Sequence, residues 1–444
     1  MKKTFLILLA VLTIVVGLVA CGNEAETVKV NPNDPKTDVG AYKNKNGAGS
    51  EMPEMVSWEG LNQFKTTDQI ATLYATDPTA AIAEARQLSV DFFRYCKTAQ
   101  WTPADSWDFT HGSDGSKPDT LHAGVVYGGL PYVGKAFSSI YRLMDFIDPD
   151  TGVVDIYKVG GKDHELQSMF GNQCAQGTYQ GWSRFINSAK YGGTPSMVAN
   201  NDFIFLGDFA CNTTIANWSS TYGTDECLLE NSKDVLFESY ALLDVGDGIV
   251  YYTSAGHVVM IASKAVVVRD ESGKIDGTQS YVTVIDQTPT WHKMNDSNGT
   301  PYNYQANVDA KWTFEFLYED HYLPFTFKEW TGEDPIEMPT IQCSHTGDTI
   351  SVEQIFNTKI SSNYHLYDIY CSIYNADGVE VAKVATHNDY ASNYELKFMN
   401  TGIQSVIWGD LESLDPAAYE YTVKIYAQQA TGQRPVIWEG KLAA

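Results

Sequence analysis

Cysteine is scarce in this chain, with seven in 444 residues. A chain of that length buries a core of its own and is not a small disulfide-built scaffold. Setting Cys21 aside leaves six, at positions 96, 174, 211, 227, 343 and 371. Cys211 with Cys227 and Cys343 with Cys371 are candidate local pairs, although spacing fixes no connectivity. Metal and nucleotide signatures are missing as well: there is no H-E-x-x-H, C-x-x-C or P-loop, so no metal and no cofactor is expected. Asp148-Pro149-Asp150-Thr151-Gly152 lacks the acidic twelfth position of a calcium loop and reads as a turn. Positive charge is short too. Thirty Lys and Arg face 55 Asp and Glu, a formal net charge of −25, which argues against nucleic acid and against attraction to anionic wall polymer.

Long apolar runs are confined to the start. Lys2 and Lys3 precede an apolar stretch from Phe5 to Val16 that ends in Leu18-Val19-Ala20-Cys21, the pattern of an export signal over residues 1–20. The last four residues resemble the lipobox of bacterial lipoproteins, and that resemblance implies lipidation at Cys21. Residues 21–56 are polar, Pro/Gly-rich and almost free of aromatics, so they read as a flexible tether. The expected location is extracytoplasmic, held to the membrane through the N-terminal lipid alone.

Two textures follow the tether. Over 57–335, an apolar stripe at helical spacing (Ile70, Leu73, Ala81, Ala85, Leu88, Phe92) predicts helices up to Thr98, with Trp101-Thr102-Pro103 ending the second. Gly248–Tyr252 and His257–Ala262 flank a short turn and predict two antiparallel strands, with a third at Tyr281–Gln287. Over 336–444, short alternating runs separated by turn signals predict an all-β unit of about one hundred residues with the look of an immunoglobulin-like sandwich. Its expected role is to contact a protein or glycan partner, or to act as a spacer. Residues 191–240 form a polar insertion with no assigned role.

The chemistry concentrates in Gly171-Asn172-Gln173-Cys174-Ala175-Gln176-Gly177. From there Tyr179, Trp182, Phe185 and Ile186 recur at helical spacing, which puts Cys174 at a helix start. Unpaired N–H groups and the helix dipole favour thiolate there, and the same N–H groups can hold an oxyanion. Gly177 and Gly181, four apart on one face, suit a close approach of the helix to a sheet. A small buried cysteine opening an amphipathic helix would produce the same pattern, and a Cys96–Cys174 disulfide would exclude a nucleophile. His257, opening an apolar strand after a glycine, is the candidate base. Asp286 is the candidate third member, because alternation puts it with Val282 and Val284 on the more apolar face, the one expected to meet the cysteine helix. Gln287 and His292 stay open as alternatives.

Three pieces in order carry a family resemblance: Tyr127-Gly128-Gly129-Leu130-Pro131-Tyr132, the Cys174-x-x-Gly177 helix start, and Gly246-Asp247-Gly248-Ile249-Val250-Tyr251 leading to Gly256-His257-Val258-Val259-Met260. Together they resemble the NlpC-type cysteine peptidases and amidases, a papain-like superfamily acting on bacterial cell-wall peptides, over about residues 90–290. The resemblance implies an α+β fold with helices packed on an antiparallel sheet. It implies Cys174 as nucleophile, His257 as base, Asp286 as the polar third residue and Tyr132 beside the cleft. Gln173 is a further candidate, as an oxyanion donor. The family usually shows Asp-Cys-Ser-Gly and a histidine third residue, whereas this chain has Gln173 before the cysteine and Asp286 in third place. The expected activity is hydrolysis of an amide bond in peptidoglycan stem peptides through a thioacyl-enzyme. Alternatives are a non-catalytic peptide- or glycan-binding lipoprotein on the same fold, and transglutaminase-like transfer to an amine.

Overall fold

The computed structural model describes residues 56–57, 63–111, 117–133, 138–148, 150–155, 171–189, 203–211, 223–253, 256–295, 301–387, 394–398 and 405–444. The signal sequence, Cys21 and the tether up to residue 55 lie outside these. The described chain is α+β.

Helix Pro78–Thr98 shows how sequence sets an element. Asp77 caps it by accepting from the Ala80 N–H at 3.0 Å, and Pro78 occupies a first-turn position where its missing N–H costs nothing. Its apolar stripe packs inward, with Ala85, Phe92, Phe93 and Cys96 fully buried. The expected helical region starts later than Ser57, because Val56–Ser57 form a strand beside Ala99–Pro103. Trp101-Thr102-Pro103 also proves to be strand, since the helix already stops at Thr98.

Both strands belong to a ten-stranded sheet whose centre runs Pro301–Thr313, Tyr281–Asn295, Gly256–Ile261, Gly248–Tyr252, Leu323–Phe327. The hairpin Gly248–Tyr252/Gly256–Ile261 pairs Tyr251 with His257, and the next strand pairs Val284 with Ile261 and Ile285 with Met260. That next strand does not end at Gln287. It runs on to Asn295, and the Thr288-Pro289 segment is a register shift between Gln287 and His292, a position where proline costs the ladder nothing.

Helix Cys174–Trp182 lies between this sheet and helix Pro78–Thr98. A Cβ on Gly181 would fall 2.6 Å from Met260 Cε and 2.9 Å from the Ser89 carbonyl oxygen, so the glycine permits the approach.

Past residue 336 come a three-stranded sheet (Ile341–Cys343, Lys359–Ser362, Glu395–Lys397) and a six-stranded one centred on Leu366–Tyr374 and Thr422–Gln429. Both contribute to one apolar core, including Ile360, Leu396, Ile369, Val423 and Ile425. Tyr367 and Ala430 instead join the core of the preceding region. Cys211 and Cys227 are bonded, with Cα atoms 4.9 Å apart. Cys343 and Cys371 are not: both are free thiols, on strands of different sheets that share one core.

Candidate active site

Cys174 is the first residue of its helix, and Gln173 is the N-cap. The Gln176 side chain folds back to accept the Gln173 N–H at 2.7 Å, which closes the turn ahead of the cysteine. Upstream, Gly171 has a φ of 135°, where a Cβ would strike Val133 and the Pro131 carbonyl. This backbone lets Asn172 pair with the Tyr132 segment: Val133 N–H donates to the Asn172 carbonyl at 3.0 Å, and Asn172 N–H to the Pro131 carbonyl at 3.1 Å. Tyr132 therefore stands two residues from the helix start, its backbone N–H held by Gln305 Oε1 at 2.7 Å. Its hydroxyl is buried without a hydrogen-bond partner among the described residues, and burial together with the nearby Asp286 charge raises its pKa.

The Cys96–Cys174 pairing does not occur, since Cys96 is a free thiol. Cys174 is nevertheless disulfide-bonded in the structure.

The histidine hairpin is anchored from below. Gly246 turns with a φ of 80°, and its carbonyl accepts the indole N–H groups of Trp182 at 2.8 Å and Trp330 at 3.0 Å. Asp247 is buried against Arg86 at 2.7 Å and Thr326 at 2.6 Å. Burial lifts its pKa to about 6 despite the opposing Arg86 charge. The Gly-Asp-Gly segment is thus a structural tie between hairpin, helix and sheet.

At the hairpin's far end, His257 Nε2 lies 2.8 Å from Asp286 Oδ2. Asn307 supports the carboxylate from behind, its backbone N–H 2.9 Å from Oδ1 and its Nδ2 3.1 Å from Oδ2. Burial works to raise the Asp286 pKa, but the hydrogen bond and charge of His257, with the two Asn307 donors, more than reverse it. An ionised carboxylate only accepts, so His257 Nε2 carries the proton and Nδ1 is the basic ring atom. His257 keeps 9 % exposure, Asp286 1 % and Cys174 2 %, so the region is nearly closed to solvent.

Among the three candidates for third member, Asp286 is the one that bonds His257. Gln287 points elsewhere: its Oε1 accepts from Lys97 Nζ, and its Nε2 donates to the Leu130 carbonyl at 3.0 Å. His292 stacks on Tyr304 at 5.3 Å, and burial lowers its pKa to about 4 against the pull of Asp286.

The alternation argument that selected Asp286 needs correction even though the residue meets His257. A Cβ on Gly177 would lie 3.3 Å from Gln287 Cβ, so Gln287 is the residue turned to the cysteine helix. Asp286 occupies the alternate position and meets His257, on the neighbouring strand, through their side chains.

Sequence reading missed Asn307, Asn172 and Lys97. Nothing local marks Asn307, which owes its place to the register shift between Val284 and Asp286 and lies near Asp309, a non-glycine residue with a φ of 53°. Lys97 did leave a signal, as a lone lysine among the buried positions Phe92, Phe93, Tyr95 and Cys96. No protein-family model matches the chain, and no curated protein matches it.

Proposed function

We propose that the chain is a surface lipoprotein whose region 57–335 is a papain-like cysteine amidase of the NlpC type, followed over 336–444 by an immunoglobulin-like sandwich. The observation that carries this reading is the buried His257–Asp286–Asn307 chain of hydrogen bonds, in a chain that also sets a cysteine at the first residue of a helix. The substrate class is a cell-wall stem peptide.

In the reaction, His257 Nδ1 takes the Cys174 thiol proton and the thiolate attacks the amide carbonyl. Backbone N–H groups at the helix start, with the Gln173 amide, hold the oxyanion. The imidazolium returns its proton to the leaving amine, and a thioester remains. Water, deprotonated by His257, then hydrolyses the thioester to a carboxylic acid and restores the thiol. Asp286 keeps the ring proton on Nε2 throughout. Because Cys174 is disulfide-bonded in the structure, the active form is the chain with that bond reduced.

The test is mass spectrometry of stem-peptide fragments incubated with reduced protein lacking residues 1–21. Cleavage lost in Cys174→Ala and His257→Ala is expected. Cleavage that persists in Cys174→Ala overturns the mechanism. The disulfide at Cys174 and the closed surroundings favour a second reading, a non-catalytic binder of the same wall fragments. It predicts binding without turnover, and a reduced Cys174 that alkylates no faster than Cys96.

A further inference from the structure

Lys97 sits in the last turn of helix Pro78–Thr98 and is 1 % exposed. An ammonium in such a place is costly unless its donors are used and some function holds it there. Its Nζ is 3.2 Å from Asn172 Oδ1, two residues before Cys174. It also donates to Gln287 Oε1, the residue after Asp286. On the other side, Nζ would be 3.1 Å from a Cβ on Gly177, one turn beyond Cys174. The nitrogen is thus bracketed by the residues on either side of the cysteine and lies over the Phe93 ring at 5.1 Å from its centroid.

From this geometry we infer that Lys97 is a positioning residue: it registers the Cys174 helix start against the strand carrying Asp286 and, when protonated, supplies a positive charge near the helix start. This rests on the proposed reading of the site and adds a residue to it. Three segments with no sequence proximity meet at one nitrogen. The Gln287 amide extends the tie to a fourth through the Leu130 carbonyl, just ahead of Tyr132. The titratable groups that act on Nζ are Cys96 on its own helix and Asp286 on the strand across from it. Burial lowers the Lys97 pKa to about 7 against the pull of Cys96 and Asp286, so its charge is greatest below neutrality. There a thiol most needs a neighbouring cation to stay ionised.

The experiment is the pH profile of iodoacetamide alkylation at Cys174, followed by peptide mapping, on reduced full-length protein. Wild type, His257→Ala, Lys97→Met and Lys97→Gln are compared, with thermal melts alongside. Lys97→Met is expected to fold, since it replaces a buried charge by an apolar side chain of similar length. Its alkylation rate below pH 7 should fall at least tenfold and the rise of the profile should move to higher pH. Lys97→Gln, which keeps a donor without the charge, should fall between the two and guards against a Met variant that fails to fold. A Lys97→Met or Lys97→Gln profile that superimposes on wild type while His257→Ala does not overturns this inference alone. A wild-type Cys174 that reacts as an ordinary thiol, unchanged by His257→Ala, overturns both this inference and the reading of the site.

Discussion

Asp286→Asn isolates what the carboxylate does, because the substitution keeps shape and removes charge. In the native site Oδ2 accepts from His257 and from Asn307 Nδ2, while Oδ1 accepts the Asn307 N–H. An asparagine can keep the Oδ1 contact, placing its NH2 where Oδ2 was. Asn307 can then turn its own amide, since its Oδ1 has no hydrogen-bond partner among the described residues. His257 has no such freedom: to accept on Nε2 it must move its proton to Nδ1, the atom that should take the thiol proton. One charge-assisted hydrogen bond is lost, about 1.5–3 kcal/mol, so alkylation of reduced Cys174 near pH 6 should slow about 10- to 100-fold. Turnover, which also needs the base, should fall about 10²- to 10⁴-fold. The melting temperature should drop by about 3–10 °C at most, since one buried contact changes and the backbone tie to Asn307 survives. A variant that melts normally and alkylates within twofold of wild type from pH 5 to pH 8 would refute the coupling of Asp286 to the thiol.

Two further outcomes concern packing and charge. Gly181→Ala should destabilise by about 1–3 kcal/mol through overpacking, because its Cβ meets a backbone carbonyl as well as Met260. Gly177→Ala, whose nearest neighbours are side-chain atoms at 3.1 to 3.3 Å, should cost less, so equal shifts in urea midpoint would contradict the geometry. For Asp368, burial acts to raise the pKa, but the charge of His387 and its 2.5 Å hydrogen bond, with Arg142 and Arg434, carry it below the ordinary value. A depressed carboxylate stabilises the fold above its unfolded pKa of about 3.9, and that contribution disappears as pH falls through the lower folded value. Asp368→Asn should therefore lower the urea midpoint at pH 7 and flatten its decline below about pH 4; curves that stay parallel to wild type would show the pair does not govern acid stability.

What the sequence revealed was what local pattern encodes. The hairpin at 248–261 follows from two apolar runs on either side of a short turn, and the cysteine at a helix start follows from the Gly171-Asn172 turn and the apolar spacing after it. Contacts set by long-range register were hidden. Asp286 was named beside His257, but its support Asn307 was not: a displaced register brings Asn307 opposite Asp286, and no window of sequence contains both residues. The strand continuation past Pro289 was hidden for the same reason: proline reads as a strand end unless the partner strand tolerates a shift. Lys97 was overlooked because a terminal helix lysine is ordinarily a solvated cap partner. Only the packed sheet turns its nitrogen inward.

The least expected arrangement concerns the C-terminal region, for which spacing or partner contact was the anticipated role. It lies against the far end of the cysteine helix. The Tyr179 ring meets His365 at 5.4 Å, and Ser183 Oγ is 3.0 Å from the Tyr367 hydroxyl. Just beyond, Arg184 stacks over Phe92 at 4.8 Å, and a Cβ on Gly432 would fall 2.4 Å from its Nη1. Tyr370 and Arg434 both bond Asp145, at the end of helix Ile140–Phe146. A spacer would meet its neighbour through a wet, loosely packed junction; here buried rings and a buried guanidinium cross it. All nine residues of helix Cys174–Trp182 are buried. Met260 and Phe93 hold one side of it and the C-terminal region closes over Tyr179 and the helix exit, so a chain cut at residue 335 would uncover Tyr179 and Arg184 and loosen the element that sets the direction of Cys174.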